Sequence, residues 1–358
     1  MAGPKTRVGL GTVWALGLTA GLLAGTTTVM AQGMVDGPAV AWDLATHTPK
    51  GNPAMSGMEA MAESVSARTG GKFAIKIHWG GTLTPVRETT DALKIGAFQI
   101  GLIVQSFHPG KIPTTNVFDL PFLHFGDIQN QVMVQKAYLN LPEVAADAGR
   151  WNIRLLMPAL LPPFELAGKG KTPSRIDDLK GLRIRASGGL GEALKTVGVV
   201  SSNLTSSELY MGLERGMIDG LAIGVYGHAS YRTQELLTWY TDNLELGIVS
   251  SYIAINNDAW NGLPAQYRKL IDDLVDPSQE KGIPVLLTAN QKILDEFKAR
   301  NLAHVQFSKA DRDRLVELGA RPVWDKWVAD MNAAGHPGQK LLDFVLTEGA
   351  KGAKKATN

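Results

Sequence analysis

The sequence predicts an α/β protein built as two blocks of alternating strands and helices, with a cleft between two lobes. Three observations predict it. Short apolar or alternating runs of strand length are separated by helical segments of ten or more residues, the spacing of βαβ units in a mostly parallel sheet. The pattern restarts after about residue 127 with no sequence repeat. The 358 residues are enough for about two domains, each with its own core.

Residues 39–45 are an apolar run suited to a buried strand. Asn52-Pro53 opens a helix to about Arg68, with Met55, Met58, Met61 and Val65 at helical spacing as its core face. Thr69-Gly70-Gly71 ends that helix, residues 73–79 alternate as a strand, and Gly80-Gly81 turns the chain towards a helix near 86–95 and a strand at 98–104. The second block begins with helices at 127–140 and 143–150, followed by strands at 153–157, 182–186 and 199–204 around a helix at 190–197. Ser206-Ser207-Glu208 caps a helix that stops at Gly216, and residues 218–223 and 248–255 are again strand-like. Beyond them the chain is nearly all helical: 258–261, 264–275, a long segment from about 277 to 300, and further pieces. The last ten residues, with Lys351, Lys354 and Lys355 among small residues, are expected to fray.

With 44% hydrophobic and 20% charged residues the composition is that of a soluble globular protein. A net charge of +2 without a basic stripe argues against a nucleic-acid partner. The absence of cysteine excludes a disulfide scaffold, a thiolate metal site and a cysteine nucleophile. Lys5 and Arg7 precede a nearly uncharged stretch to Val29, and Val29-Met30-Ala31 offers a cleavage site before Gln32, the pattern of an export signal. Glycines and Thr26-Thr27-Thr28 dilute the run below what a membrane anchor requires. No cysteine follows for lipid attachment and no Arg-Arg pair marks folded export. Cleavage would leave 327 of the 358 residues and, by removing Lys5 and Arg7, take the charge from +2 to zero.

Catalytic motifs are lacking. Gly188-Gly189-Leu190-Gly191 follows a strand and opens a helix, but Leu194 stands where a dinucleotide fingerprint needs a small residue. There is no phosphate loop, HExxH or GxSxG, and the seven histidines have no metal-ligand spacing. No cofactor and no metal are expected, and an enzyme is the weaker reading.

One arginine is placed for binding. In Leu182-Arg183-Ile184-Arg185, alternation sets Arg183 and Arg185 on one face, and Arg185 ends the strand just before glycines and a helix start. Ligands of open α/β sheets collect at strand carboxyl ends. A helix N-terminus favours an anion there, and a guanidinium matches a carboxylate. The same spacing also fits two surface charges on an edge strand.

At these residues the chain resembles the secreted solute receptors of tripartite ATP-independent periplasmic (TRAP) transporters, the DctP-like family. The resemblance runs from about Trp42 to Gln266 and rests on seven markers in order. They are Thr69-Gly70-Gly71-Lys72, Gly80-Gly81-Thr82-Leu83, residues 91–96, Asp119-Leu120-Pro121-Phe122, residues 178–185, residues 208–220, and 256–264 with Trp260 and Leu263. It implies a two-lobe periplasmic binding protein fold (class II-like) with mixed β-sheets flanked by helices, a hinge and a long helix linking the lobes. The expected organisation is a signal peptide at 1–31, lobe 1 from 36–160 with 249–285, lobe 2 from 161–248 with 286–348, a long helix near 277–300 spanning both, and a flexible tail at 349–358.

The resemblance also implies that Arg185 holds a substrate carboxylate. Relatives for sialic-acid-like sugars carry a second arginine where Glu165 stands here, which argues against a second cation. The 2-oxo-acid branch carries a Glu-Trp pair that helps hold a metal where Ala222-Ile223 stand, which implies an apolar lining instead. The expected ligand is thus an organic acid, a monocarboxylate with an apolar or aromatic body. The expected site is Arg185 with Arg183, Gln105, Phe107, His47, Phe164, Tyr226 and Phe122; Trp79 is assigned to the core and Asp219 to a structural cap. Expected partners are the ligand and the TRAP membrane permease subunits, for a monomer in the periplasm. The rival readings are a secreted enzyme using the same cleft and a receptor that presents its ligand to a membrane sensor.

Overall fold

In the computed structural model, which describes Gly3 and residues 33–356, two mixed sheets are each flanked by helices. The expected export signal falls outside the described residues. From Met34 onward the chain forms one compact unit.

The first block contains β1 (Val40–Ala45), α1 (Ser56–Arg68), β2 (Phe73–His78), α2 (Thr89–Lys94), β3 (Ile100–Val104), α3 (Ile128–Leu139), α4 (Pro142–Arg150) and β4 (Ile153–Pro158). The methionine stripe of α1 is core, with Met55, Met58, Met61 and Val65 all buried. Asn52 accepts a hydrogen bond from the Ala54 N–H and Asp127 one from the Asn130 N–H, so each satisfies an orphan donor at the start of its helical segment. The second block contains β5 (Glu165–Gly168), β6 (Arg183–Arg185), α5 (Gly188–Lys195), β7 (Val200–Ser202), α6 (Leu209–Glu214), β8 (Gly220–Ile223), α7 (Val225–Ser230) and β9 (Trp239–Thr241). The chain then returns as β10 (Ser251–Asn256) and continues through α8 (Asn257–Gly262), α9 (Ala265–Ala299), β11 (Ala303–Val305), α10 (Lys309–Ala333) and α11 (Gly338–Ala356).

The first sheet has the order β2-β1-β3-β10-β4 and the second β11-β9-β5-β8-β6-β7. Both are mixed: the first divides evenly between parallel and antiparallel pairs, the second is parallel in three pairs of five, and the antiparallel pairs are those of β10 with β3 and β4 and of β5 with β8 and β9. These strands arrive directly from the opposite sheet, without the crossover helix that parallel pairing requires.

The crossing from β4 to β5 and the crossing from β9 to β10 run side by side. Phe164 N–H donates to Gly247 O at 2.7 Å, Leu246 N–H to Phe164 O at 3.0 Å, and Phe122 N–H to Leu246 O at 2.9 Å. Gly247 has φ 118°, where a side chain is strained, and a Cβ there would stand 3.3 Å from Leu120 O. Glu165 belongs to this junction: its buried carboxylate accepts from Thr241 Oγ1 at 2.5 Å, Leu244 N at 3.0 Å and Glu245 N at 2.8 Å.

Two helical expectations change. The sequence reading broke the chain at Pro277, yet α9 runs unbroken through Pro277 and Pro284. Each proline gives up one backbone bond, while a buried stripe from Leu270 through Ile283 to Phe297 continues on both sides of them. The helix packs on α1 beside the first sheet and on α7 beside the second. The segment from residue 349, read as a frayed tail, continues α11 as helix to Ala356, with Gly349 packed on the His124 carbonyl and Phe125.

Candidate functional site

A cavity of about 70 Å³ lies between the two sheets. The first sheet and its loops contribute His47, Thr48, Leu102, Val104 and Phe107. The second contributes Arg185, Ser187, Ile223, Tyr226 and Tyr231, and the crossing segments add Leu161, Phe164 and Val249. The walls are largely aliphatic and aromatic, interrupted by the polar side chains of Thr48, Asn52, Ser187, Ser206 and Ser251.

Register places the arginine. Arg185 pairs with Leu221 on β8 and Ser202 on β7, in the interior of the sheet, at the last position of β6. Its side chain is buried, and Nε donates to Leu204 O at 3.0 Å. Burial lowers its pKa to about 10, partly offset by Tyr231, so it stays cationic at neutral pH. Among the described residues no carboxylate contributes to holding that charge. An uncompensated buried cation is costly, and it is the kind of group an incoming anion satisfies.

Arg183 is on the same face of β6 but outside the cavity. It is exposed and grips Asp219, Nε to Oδ2 at 2.9 Å and Nη2 to Oδ1 at 2.5 Å. Two residues along a strand is about 6.6 Å, enough to leave one guanidinium at the exposed start of β6 and carry the other into the gap.

His47 lines the cavity with Nδ1 buried and unpartnered. Burial first, then the positive fields of Arg185 and His108, lower its pKa to about 4, so the imidazole is neutral at physiological pH. Phe107, Phe164 and Tyr226 line the cavity as well.

Gln105 and Phe122 do not. Gln105 turns back, its Nε2 donating to the Ile112 carbonyl at 3.3 Å and to the Lys111 carbonyl. Phe122 sits at the junction with φ 58° and packs in the core. Gly188 and Gly189 also lie outside the lining; a Cβ on Gly189 would meet Asp119 O at 2.5 Å and one on Gly188 the Asp119 side chain at 3.0 Å. The glycines therefore admit the Asp119 segment against α5. Trp79 is partly buried against the core, and Glu165 accepts backbone and hydroxyl donors at the junction.

Sequence reasoning missed Tyr231, which feels Arg185 and is hydrogen-bonded to Ser206 and Asn52, and the polar lining residues Thr48, Ser187 and Ser251. Asn52 and Ser206 carried visible capping signals, but capping and facing a ligand are compatible in one side chain, and only the fold shows the second role. Among the described residues no group of three or more His, Asp or Glu is placed to hold a metal ion. No described helix is long and apolar enough to cross a membrane.

Two sheets joined by adjacent crossings, with an anion-ready cavity between them, define a solute-binding protein of the two-sheet α/β class. The family model of bacterial extracellular solute-binding proteins, family 7 (DctP), matches residues 44–330, and the chain belongs to that family of TRAP solute receptors. A monocarboxylate 2-oxoacid-binding periplasmic protein of Nostoc sp. is 26% identical over 283 residues, 74% of this chain and 70% of that one. The C4-dicarboxylate-binding periplasmic protein of Rhodobacter capsulatus is 25% identical over 300 residues, 81% of this chain and 86% of that one. A crystal structure of a TRAP solute-binding protein from Rhodoferax ferrireducens, in complex with copurified benzoate, superposes with TM-score 0.79 at 22% identity, covering 89% of this chain and all of that one.

Proposed function

We propose that this receptor captures a monocarboxylate with an apolar or aromatic body and delivers it to the membrane permease subunits of a TRAP transporter. Arg185 takes the carboxylate, neutral His47 and the Tyr231 hydroxyl offer uncharged hydrogen-bonding groups nearby, and Phe107, Phe164, Tyr226 and Ile223 enclose the body. Residues 36–160 with 249–285 form one jaw and 161–248 with 286–348 the other, closing about the paired crossings as a monomer. An export signal cut near Ala31/Gln32 places the receptor in the periplasm.

The observation that carries this reading is the buried Arg185 guanidinium with no carboxylate counter-ion, set in an otherwise mostly apolar wall. A single unspent cation suits one carboxylate. A dicarboxylate would bring a second negative charge to walls that offer it no second free guanidinium: Arg183 is committed to Asp219 and Glu165 stands at the junction. A relative named for monocarboxylates and a similar fold that copurified with benzoate support the same class, and family membership favours a receptor over a secreted enzyme.

Mass spectrometry of acids that copurify with the protein, followed by calorimetry with benzoate, small aliphatic monocarboxylates, C4-dicarboxylates and sugar acids, tests it. Micromolar or tighter binding of benzoate-like acids with weak binding of the polar acids is expected. Binding confined to sugar acids or dicarboxylates would refute the proposed ligand class.

A further inference from the structure

We infer that Asn203 and Arg87 form the gate of this cavity, holding the Phe107 wall shut and setting how long a captured ligand stays. The inference rests on reading the cavity as the ligand site.

Asn203 follows β7 and makes three bonds in three directions. Its Oδ1 accepts from the Ser187 hydroxyl at 2.9 Å, its Nδ2 donates to Ser106 O at 3.3 Å, and its carbonyl accepts from Arg87 Nη2 at 3.1 Å. Ser187 belongs to the second sheet's side of the cavity, whereas Ser106 and Arg87 come from the first block. One exposed residue thus ties the two sides together at the rim.

Arg87 acts on the wall itself. Its guanidinium lies 5.1 Å from the centroid of the Phe107 ring, a ring that is buried and lines the cavity. The ring thus lines the cavity and also carries the exposed Arg87 cation, and a cation on an aromatic face is attractive. Arg87 also feels the Glu208 carboxylate, a further link from the first block to the second. On the outer side of this bridge is a surface hollow lined by Ser106, Ala186, Gly188, Ser202 and Asn203. Cavity and hollow thus share a partition made of residues 106–107, 186–188 and Asn203. Opening it requires breaking the Asn203 bonds and unstacking Arg87, while the Tyr231–Asn52 bond is a separate tie between the two blocks.

The chain contains no cysteine, so one introduced thiol reports opening without any ligand. Ser251 lines the cavity and is buried. In a Ser251→Cys background, the rate of modification by methyl methanethiosulfonate measures how often the cavity opens. Asn203→Ala and Arg87→Ala should each raise that rate at least roughly five-fold, the effect of losing about one net hydrogen bond, with the melting temperature lowered by no more than about 4 °C. Arg87→Lys, which keeps the charge but loses the flat stack, should fall between. Should Asn203→Ala fail to fold, the two Arg87 variants decide. Rates equal to the parent in the folded variants would overturn the gate. Release of benzoate followed by stopped flow should accelerate by the same factor. Absence of benzoate binding to the wild type would count against the proposed ligand class alone, because the thiol assay needs no ligand.

Discussion

Arg183 and Asp219 grip each other through two side-chain hydrogen bonds, 2.9 Å and 2.5 Å, at the first position of β6, and this pairing leaves Arg185 as the unspent cation of the strand. The two arginines share a face, a strand and a side chain, yet differ in whether a carboxylate of the chain already holds them.

Arg185→Ala should weaken binding of the best acid from a calorimetric screen by about 10²–10³-fold, the consequence of leaving a buried carboxylate unpaired. Arg183→Ala should change it less than about three-fold, because an exposed pair at the rim contributes little. Calorimetry on both variants, with melting temperatures as controls, separates them; equal losses would refute the assignment of Arg185.

Phe164→Ala should weaken benzoate by roughly tenfold and leave acetate nearly unaffected. Only the larger acid reaches the aromatic wall, where an aryl contact contributes about 1 kcal/mol or more. The ratio of the two dissociation constants is the measurement. A variant that weakened both acids equally would mean Phe164 acts on the junction and not on the ligand.

Acid stability is expected to depend on His228. It is buried, its Nδ1 meets Thr233 Oγ1 at 2.9 Å, and burial lowers its pKa to about 3. Between pH 6.5 and 3 the unfolded chain binds a proton there that the folded chain does not, so this contribution to stability is complete above pH 6.5 and is lost on acidification. Wild type should lose about 1.4 kcal/mol per pH unit more than His228→Gln inside that window, the slope of one proton. Asp119 and Glu165, whose carboxyls burial pushes up to about 7, act in the opposite direction, but equally in both proteins. Denaturant unfolding at a series of pH values gives the difference.

Gly282→Ala should destabilise the fold by about 1–3 kcal/mol. A Cβ at residue 282 would lie 2.5 Å from the Gly57 backbone nitrogen, where α9 and α1 approach closely enough for the Ser56 hydroxyl to donate to Gly282 O at 2.9 Å. Neither backbone can yield without parting the helices. A melting temperature unchanged in the variant would show that the two helices separate freely.

Much of the scaffold was legible because local signals were strong. The methionine stripe of α1, the Asn52 and Asp127 caps and the alternation of 182–185 all describe what the chain does by itself. What escaped depends on contacts distant in sequence. The three-residue strands β9 and β11 are too short to carry a period, and their pairing to β5 and to each other supplies what propensity does not. Pro277 read as a stop because it stops most helices, while the buried stripe on either side overrides it here. In the site, Arg185 was visible from its position before the glycines. The glycines themselves suggested an anion nest and instead make room for Asp119. Gln105 ended a strand beside the cleft, as a ligand group would, and its amide found two backbone carbonyls of its own loop first. Tyr231, Ser206 and Asn52 meet only after distant segments come together, so no window of sequence contains them.

Because the cavity's shell is divided between the two sheets while the crossings are stitched by main-chain bonds, the cavity's lining and the joint between the sheets are encoded in different atoms. Substituting wall side chains would retune what is carried and leave the peptide-to-peptide stitching of the crossings intact, so, on the proposed two-jaw reading, a duplicated copy of this receptor is free to acquire a new diet without relearning how to shut.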